Sequence, residues 1–508
     1  MRLEALDAEA VWRGARAEAS GSLALLALLL ERFTADLGSA LAFFVGPAAA
    51  RTRYGALLAT GVEAGRVARA PIEATRRGGL GSRLWQQHGL CALVLGGERD
   101  SAALLARVGA AGCAQGVFEP PGDLAALEGA VGHRFAPELV REGPAIATLA
   151  ARGPSALAFN AATVCWSSEQ RHELSERWLR PGLLAPLRVA VQRDPAAAQP
   201  CAAPCPLACR TVAVGRLREA EPLLWLGPQL GIFDLAAHDR LLHRCLTDGF
   251  DVPMVGALLG WLLERVHRGE LDARALGLAE RPLWSLAELG SAGSAAHNGP
   301  LAEALLDGLL HAPWAQALRG GLRAAADAVG ADAAGRALVL ELGAADEVVP
   351  EPDWTIGGLA PLPFAGEGFA YAARQWVAPA ALGVKTAERL VAQLALLNSG
   401  LCFQHRAWLE PHYPRLARQL YGESGAEEGW IARHRTLARR LHQQARPRPW
   451  RAGRLQHWVG ARLLEAQREG LADSELERWL RRFADDAPAA ARAFWTELDL
   501  ALSRALAT

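Results

Sequence analysis

Lysine is almost absent from this chain, and so is any excess of charge. Its 508 residues carry 54 Lys+Arg against 54 Asp+Glu, so no net field draws it to nucleic acid or to an anionic membrane. Long hydrophobic runs are missing too. The most apolar early stretch, SLALLALLLERF, meets Glu31 and Arg32 well before the roughly 20 residues that span a bilayer; it reads as a buried element. The N-terminal MRLEALDAEAVWRG carries acids where a signal peptide carries bases, so the expectation is a cytoplasmic protein. Cysteine is sparse: eight in a chain this long cannot make a disulfide scaffold, and a cluster among them points to a metal or to redox chemistry. A hydrophobic share of 51% with 21% charged residues excludes a disordered chain.

Length allows two or three domains. Up to about residue 195, short apolar runs with glycine turns predict strands at LAFFVGP, CALVLGG and LRVAVQR, and GGLGSRLWQQHG predicts a turn entering a helix. The prolines of RDPAAAQPCAAPCP then mark a boundary. Beyond it, DLAAHDRLLHRCLTDG predicts a helix from an Asp234 N-cap to Gly249. MVGALLGWLLERVHRGE, PLAEALLDGLLHAPWAQALRGGLRAAADAVG and TAERLVAQLALLNSG follow at helical spacing. The tail opens on a capping box of Ser474 and Glu477. The predicted class is α+β: a β-rich domain over 1–195, then a mostly helical region over 196–508.

The stretch CAAPCPLACR places Cys201, Cys205 and Cys209 in one loop, with Pro204 and Pro206 excluding a regular helix. Three thiolates turned inward suit an iron–sulfur cluster, which takes its fourth ligand from afar; Cys402 in LLNSGLCFQHR is the distal candidate. Zinc is an alternative, although no second CxxC knuckle accompanies the loop. Small buried apolar cysteines are a third reading. In TRRGGLGSR, Arg76, Arg77, Gly78 and Gly79 form an anion-binding loop or an ordinary basic turn before a helix.

Four stretches in order resemble the aldehyde ferredoxin oxidoreductase family: GP at 46–47 with RAPIEATRRGGLGSRLWQQHGLCALVLGG; CPLAC; EAEPLLWLGPQLGIFDLAAHDRLLHRCLTDGFDVPMVGALLGWLLE; and NSGLCF. The resemblance implies a β-rich domain cradling one face of a tungsten- or molybdenum-bis-pterin, with two helical domains closing over it. It implies a [4Fe–4S] cluster on Cys201, Cys205, Cys209 and Cys402, and pterin phosphates against the Arg76–Gly79 loop. Glu221 aligns with the family's active-site glutamate; a solvated loop acid is the alternative. The two pterin turns of the family begin with aspartate, whereas LTDGFD and LNSGLC begin with Leu246 and Leu397. Asp248, Gly249 and Asp251 in the first turn, and Asn398 and Gly400 in the second, are the remaining cofactor-binding candidates. His243 aligns with a histidine that binds metal at a dimer interface in some relatives, but Arg240 stands where its acid should be, so a surface histidine is the competing reading and a homodimer stays open. The cysteine loop has three residues between its first two thiols where the family has two, the family's glycine-rich stretch is reduced to ERWLRPGLLAPLRVAV, and no histidine occurs between His311 and His405.

The implied function is an oxidoreductase interconverting a small aldehyde and its carboxylic acid, passing electrons to ferredoxin or another electron-transfer protein. The alternatives are a catalytically degenerate member that serves as an iron–sulfur electron-transfer or assembly subunit, and a zinc-stabilised scaffold. Neither nucleic acid nor a membrane span is expected.

Overall fold

The computed structural model describes residues 4–14, 20–33, 39–63, 66–67, 72–75, 78–96, 146, 150, 157–193, 198–199, 210–213, 216–290, 292–342, 345–348, 376–398, 427–445, 453–468, 470 and 472–507. Two compact units divide the chain. The first joins Met1–Arg99, Glu142–Gln199 and Ala208–Leu338; the second joins Asp100–Arg141, Pro200–Leu207 and Val339–Thr508. The first unit thus runs past the expected boundary at residue 195. The class is α+β, as the sequence predicts.

In the first unit, strands β1 (Ser39–Phe44), β2 (Leu58–Glu63), β3 (Arg66–Val67), β4 (Glu73–Ala74) and β5 (Ala92–Gly96) form one antiparallel sheet. The order is β3–β2–β1–β5, with β4 also beside β2. Alternation in SALAFF sends Ala40, Ala42 and Phe44 inward. Helix α1 (Ala8–Arg13) and helix α2 (Gly21–Phe33) cover that face, α2 through Leu25, Leu26 and Leu29. The run SLALLALLLERF is therefore the buried element expected of it. Helix α3 (Pro47–Arg51) follows β1, and α4 (Leu80–His88) lies between β4 and β5.

Three longer helices also belong to this unit: α5 (Leu235–Asp248), α6 (Val252–His267) and α7 (Asn298–His311). The Asp234 carboxylate accepts from Ala237 N–H at 2.7 Å and caps α5, and Gly249 ends it in a left-handed conformation. Every residue of α6 from Val252 to Val266 is buried; the run Val252–Leu263 is apolar on all sides and has to be.

One expected strand is a helix. LRVAVQR falls in Ala185–Arg193, after a π-helical stretch over Ser175–Leu184 that contains Pro181. Leu183, Leu184 and Leu187 are buried and Val191 packs beside them; that spacing is helical, and burial of the stripe overrides the local β-branched alternation.

In the second unit, α8 (Pro379–Asn398), α9 (Glu427–Ala445), α10 (Gly453–Arg468), α11 (Ser474–Asp485) and α12 (Ala487–Ala507) pack together, and Val339–Leu342 pairs with Ala345–Val348 as a hairpin. Ala387, Leu390, Val391, Ala438, Leu502 and Leu506 form its core. Gly383 lets α8 approach α12 closely, since a Cβ there would lie 2.3 Å from Leu498 C=O. The cap of α11 is Asp473, which accepts from Glu475 and Leu476 N–H, and not Ser474 as expected. A carboxylate one residue earlier reaches both orphan donors.

Candidate functional site

The candidate residues Gly78, Gly79, Asp248, Gly249 and Asp251 come together where α5 turns into α6 against the sheet. Gly249 has φ +74 and a Cβ on it would lie 2.7 Å from Gly46 Cα; one on Gly46 would lie 2.6 Å from Asp248 C=O. The GP loop and this turn therefore meet backbone to backbone. Ala56 N–H donates to Gly249 C=O at 2.8 Å, Asp251 N–H donates to Tyr54 C=O at 2.7 Å, and Gly55 bridges Phe250. Ser22 Oγ adds a bond to Leu246 C=O at 2.6 Å, tying α2 to the same turn.

Both acids of the turn are committed. Asp251 is buried, and its carboxylate accepts from Met254 N–H at 3.4 Å and from Gly78 and Gly79 N–H at 3.2 Å each. The Asp248 carboxylate accepts from Arg244 Nε at 2.6 Å, and Arg244 Nη2 donates to Asp307 at 3.0 Å. Burial pushes the Asp248 carboxyl above its ordinary value, while Arg244 pulls it back. Cys245, one turn earlier, is buried, and its thiol is pushed well above the ordinary range by desolvation, so it is an inert packing residue.

Leu246 packs against the sheet's core. It lines a cavity of about 20 Å3 with Ile72, Ala74, Glu219, Pro222, Leu242 and Val252, room for a single water. Glu221 is half-buried in the first turn of the short helix Ala220–Trp225, flanked by the cavity residues Glu219 and Pro222. His243 is exposed, and Arg240 pairs with Glu303 at 3.4 Å.

The other candidates lie elsewhere. Asn398 ends α8 in the second unit, where its amide Nδ2 lies 3.0 Å from Nε2 of the buried His434; His434 Nδ1 meets Trp430 C=O at 2.8 Å. That carbonyl can only accept, so Nδ1 carries the proton and Nε2 receives the amide. Arg76, Arg77, Gly400, Cys201, Cys205, Cys209 and Cys402 lie outside the described residues. Among the described residues, no group of three or more His, Cys, Asp or Glu side chains could hold a metal.

Sequence reasoning passed over a second polar centre, at LGPQLGIFD. Phe159, Asn160 and Ala161 are three successive left-handed non-glycine residues, with φ of 54, 52 and 57°, a conformation costing about 1–2 kcal/mol apiece. Hydrogen bonds hold them there: Gln229 Oε1 accepts from Ala161 N–H at 2.8 Å, and the Gln229 and Pro228 carbonyls accept from Asn160 and Phe159 N–H. Asn160 Nδ2 donates to Glu264 at 2.9 Å, and Asn298 Nδ2 to Leu230 C=O at 2.8 Å. The available signal was an amide, Gln229, inside an apolar run: a buried amide is kept where backbone groups need partners.

Residues 187–284, which include Gln229 and the Asp248–Asp251 turn, match the family model for aldehyde ferredoxin oxidoreductase, domains 2 and 3. The chain is also 25% identical to the glyceraldehyde-3-phosphate:ferredoxin oxidoreductase of Pyrococcus furiosus, over 94% of this chain and 75% of that protein. The chain is similar, over these matches, to the aldehyde ferredoxin oxidoreductase family. That similarity supports an oxidoreductase of the same type. An uncharacterised protein of Methanocaldococcus jannaschii is 24% identical over 77% of this chain and 66% of its own length. A solved structure, the active site complex BamBC of benzoyl coenzyme A reductase in complex with 1,5-dienoyl-CoA, gives a TM-score of 0.48 at 13% identity, covering 96% of this chain and 78% of that one. Among the described residues, no helix is long and apolar enough to cross a membrane.

The family implies a bis-pterin, and the described residues of this turn do not fit one. Leu246 is an apolar wall around a cavity the size of a water, Asp248 is held by Arg244, and Asp251 is spent on the Gly78–Gly79 amides. A buried cofactor donor facing this wall would lose its partner, at roughly 1–3 kcal/mol per group.

Proposed function

We propose that this protein exchanges electrons with ferredoxin or a comparable electron-transfer protein through a [4Fe–4S] cluster on Cys201, Cys205, Cys209 and Cys402. The redox pair is an aldehyde and its carboxylic acid, the chemistry for which the family recruits tungsten- or molybdenum-pterin. In this reading Glu221 activates water or accepts a proton at the hydrated carbonyl. Identity to a ferredoxin-linked aldehyde oxidoreductase along 94% of the chain is the observation that carries it.

A second reading keeps the cluster and drops pterin catalysis, leaving an electron-transfer or assembly subunit. The misfit at Leu246, Asp248 and Asp251 favours it specifically. Elemental analysis of anaerobically purified protein separates the two. About four irons with one tungsten or molybdenum per chain supports aldehyde oxidation and calls for assays with a viologen acceptor. Four irons with neither heavy metal supports the cluster-only subunit, and zinc alone overturns both.

A further inference from the structure

The loop entering α4 has the backbone geometry of an anion site. Gly78 and Gly79 present successive N–H groups to one point, Gly79 with φ +58 at the N-terminus of α4. Such paired amides, added to the positive end of a helix, form a nest for an oxyanion. What occupies the point is a protein atom: Asp251 Oδ2, 3.2 Å from both nitrogens, on a side chain with no solvent exposure. The neighbouring Met254 Sδ lies 3.1 Å from Gly78 N, but a thioether is a weak acceptor and leaves the carboxylate as the main partner.

We infer that Asp251 is the resident anion of the Gly78–Gly79 nest, so that these amides take no phosphate in the native protein. A phosphate oxygen and a carboxylate oxygen compete for the same two donors, and two anions a few ångströms apart repel. A phosphate-bearing ligand at this loop therefore has to be held outside the nest. Taking the carboxylate away converts the nest into a phosphate site.

Two features make that conversion testable. The nest does not depend on Asp251 alone for its shape: a Cβ on Gly79 would lie 2.0 Å from Arg53 C=O, one on Gly81 2.0 Å from Ala56 C=O, and Ser82 Oγ accepts from Gly55 N–H at 2.7 Å. One side is also open among the described residues, since a Cβ on Gly78 would meet none of them within 4 Å, and a small oxyanion can enter there.

The experiment is a set of thermal melts of wild type, Asp251→Ser and Asp251→Asn in inorganic phosphate and in chloride at matched ionic strength. Serine keeps an N-cap oxygen for α6 but is too short and uncharged to fill the nest. General stabilisation by phosphate is read in the wild type and subtracted. Asp251→Ser is expected to melt below wild type in chloride and to recover part of the loss in phosphate, and Asp251→Asn, which fills the nest with a neutral oxygen, to recover less. A folded Asp251→Ser with no phosphate gain beyond wild type overturns the inference. Should Asp251→Ser not fold, Asp251→Gly, which also empties the nest and is tolerated at an N-cap, decides in its place, a gain beyond wild type supporting the inference and no gain overturning it. No readout involves iron, tungsten or molybdenum, so the result stands apart from that of the proposed function.

Discussion

Replacing Gly249 by alanine tests how tightly the sheet is joined to the helices. Two costs combine at this position. The left-handed conformation, φ +74, costs a residue with a side chain about 1–2 kcal/mol. The new methyl would also sit 2.7 Å from Gly46 Cα and Gly46 N. Backbone atoms cannot rotate away as a side chain can, so overpacking adds about 1–3 kcal/mol. Gly277 is the control, with φ +75 and nothing within 4 Å of an added Cβ. Gly277→Ala is expected to lose only the first cost and Gly249→Ala roughly 2–5 kcal/mol, a large part of the 5–15 kcal/mol that holds an ordinary domain folded. Urea unfolding followed by tryptophan fluorescence reads both, since Trp225 and Trp261 are buried in the same unit. The comparison is of midpoints at unchanged slope. Equal losses in the two variants would refute the reasoning, because Gly46 would then be yielding at no cost.

Two further outcomes are expected. Burial raises the Asp248 carboxyl above its ordinary 3.8; a raised acid favours its protonated form in the folded chain, so its contribution to stability is present below that value and lost as pH rises through the folded one. The melting temperature of wild type relative to Asp248→Asn is therefore expected to fall as pH rises from about 4 toward neutrality, and a pH-independent difference would contradict this. In the second unit, Asp473→Ala is expected to cost about 0.5–2 kcal/mol as a lost N-cap, with Ser474→Ala nearly neutral. The reverse order in chemical denaturation would restore Ser474 as the cap.

Much of this architecture is readable from local chemistry. Asp234 and Gly249 bracket α5 because each end of a helix needs a partner for its orphan groups, and aspartate and left-handed glycine supply them in recognisable order. Asp251 stood out in the sequence as a cofactor-binding candidate; in the structure it caps α6, and its carboxylate serves the protein's own amides. The LRVAVQR segment misled because its alternation is local, whereas the stripe Leu183, Leu187 and Val191 that decides its conformation depends on the core it meets. The left-handed run at Phe159–Ala161 left no trace in residue type, none of the three being glycine; it exists because distant Gln229 and Pro228 hold it. The cysteines, the strongest chemical signal in the sequence, lie outside the described residues, so the cluster rests on the spacing of thiols.

The Asp251 bonds to Gly78 and Gly79 join residues about 173 positions apart. A ribosome adding roughly 5–20 residues per second needs something like 10–35 s to make the second partner after the first has emerged. Through that interval the GP loop and the Gly78–Gly79 amides lack the segment that they meet in the finished fold. The turn between α5 and α6 therefore cannot lock onto the N-terminal sheet until well over a hundred further residues have been made.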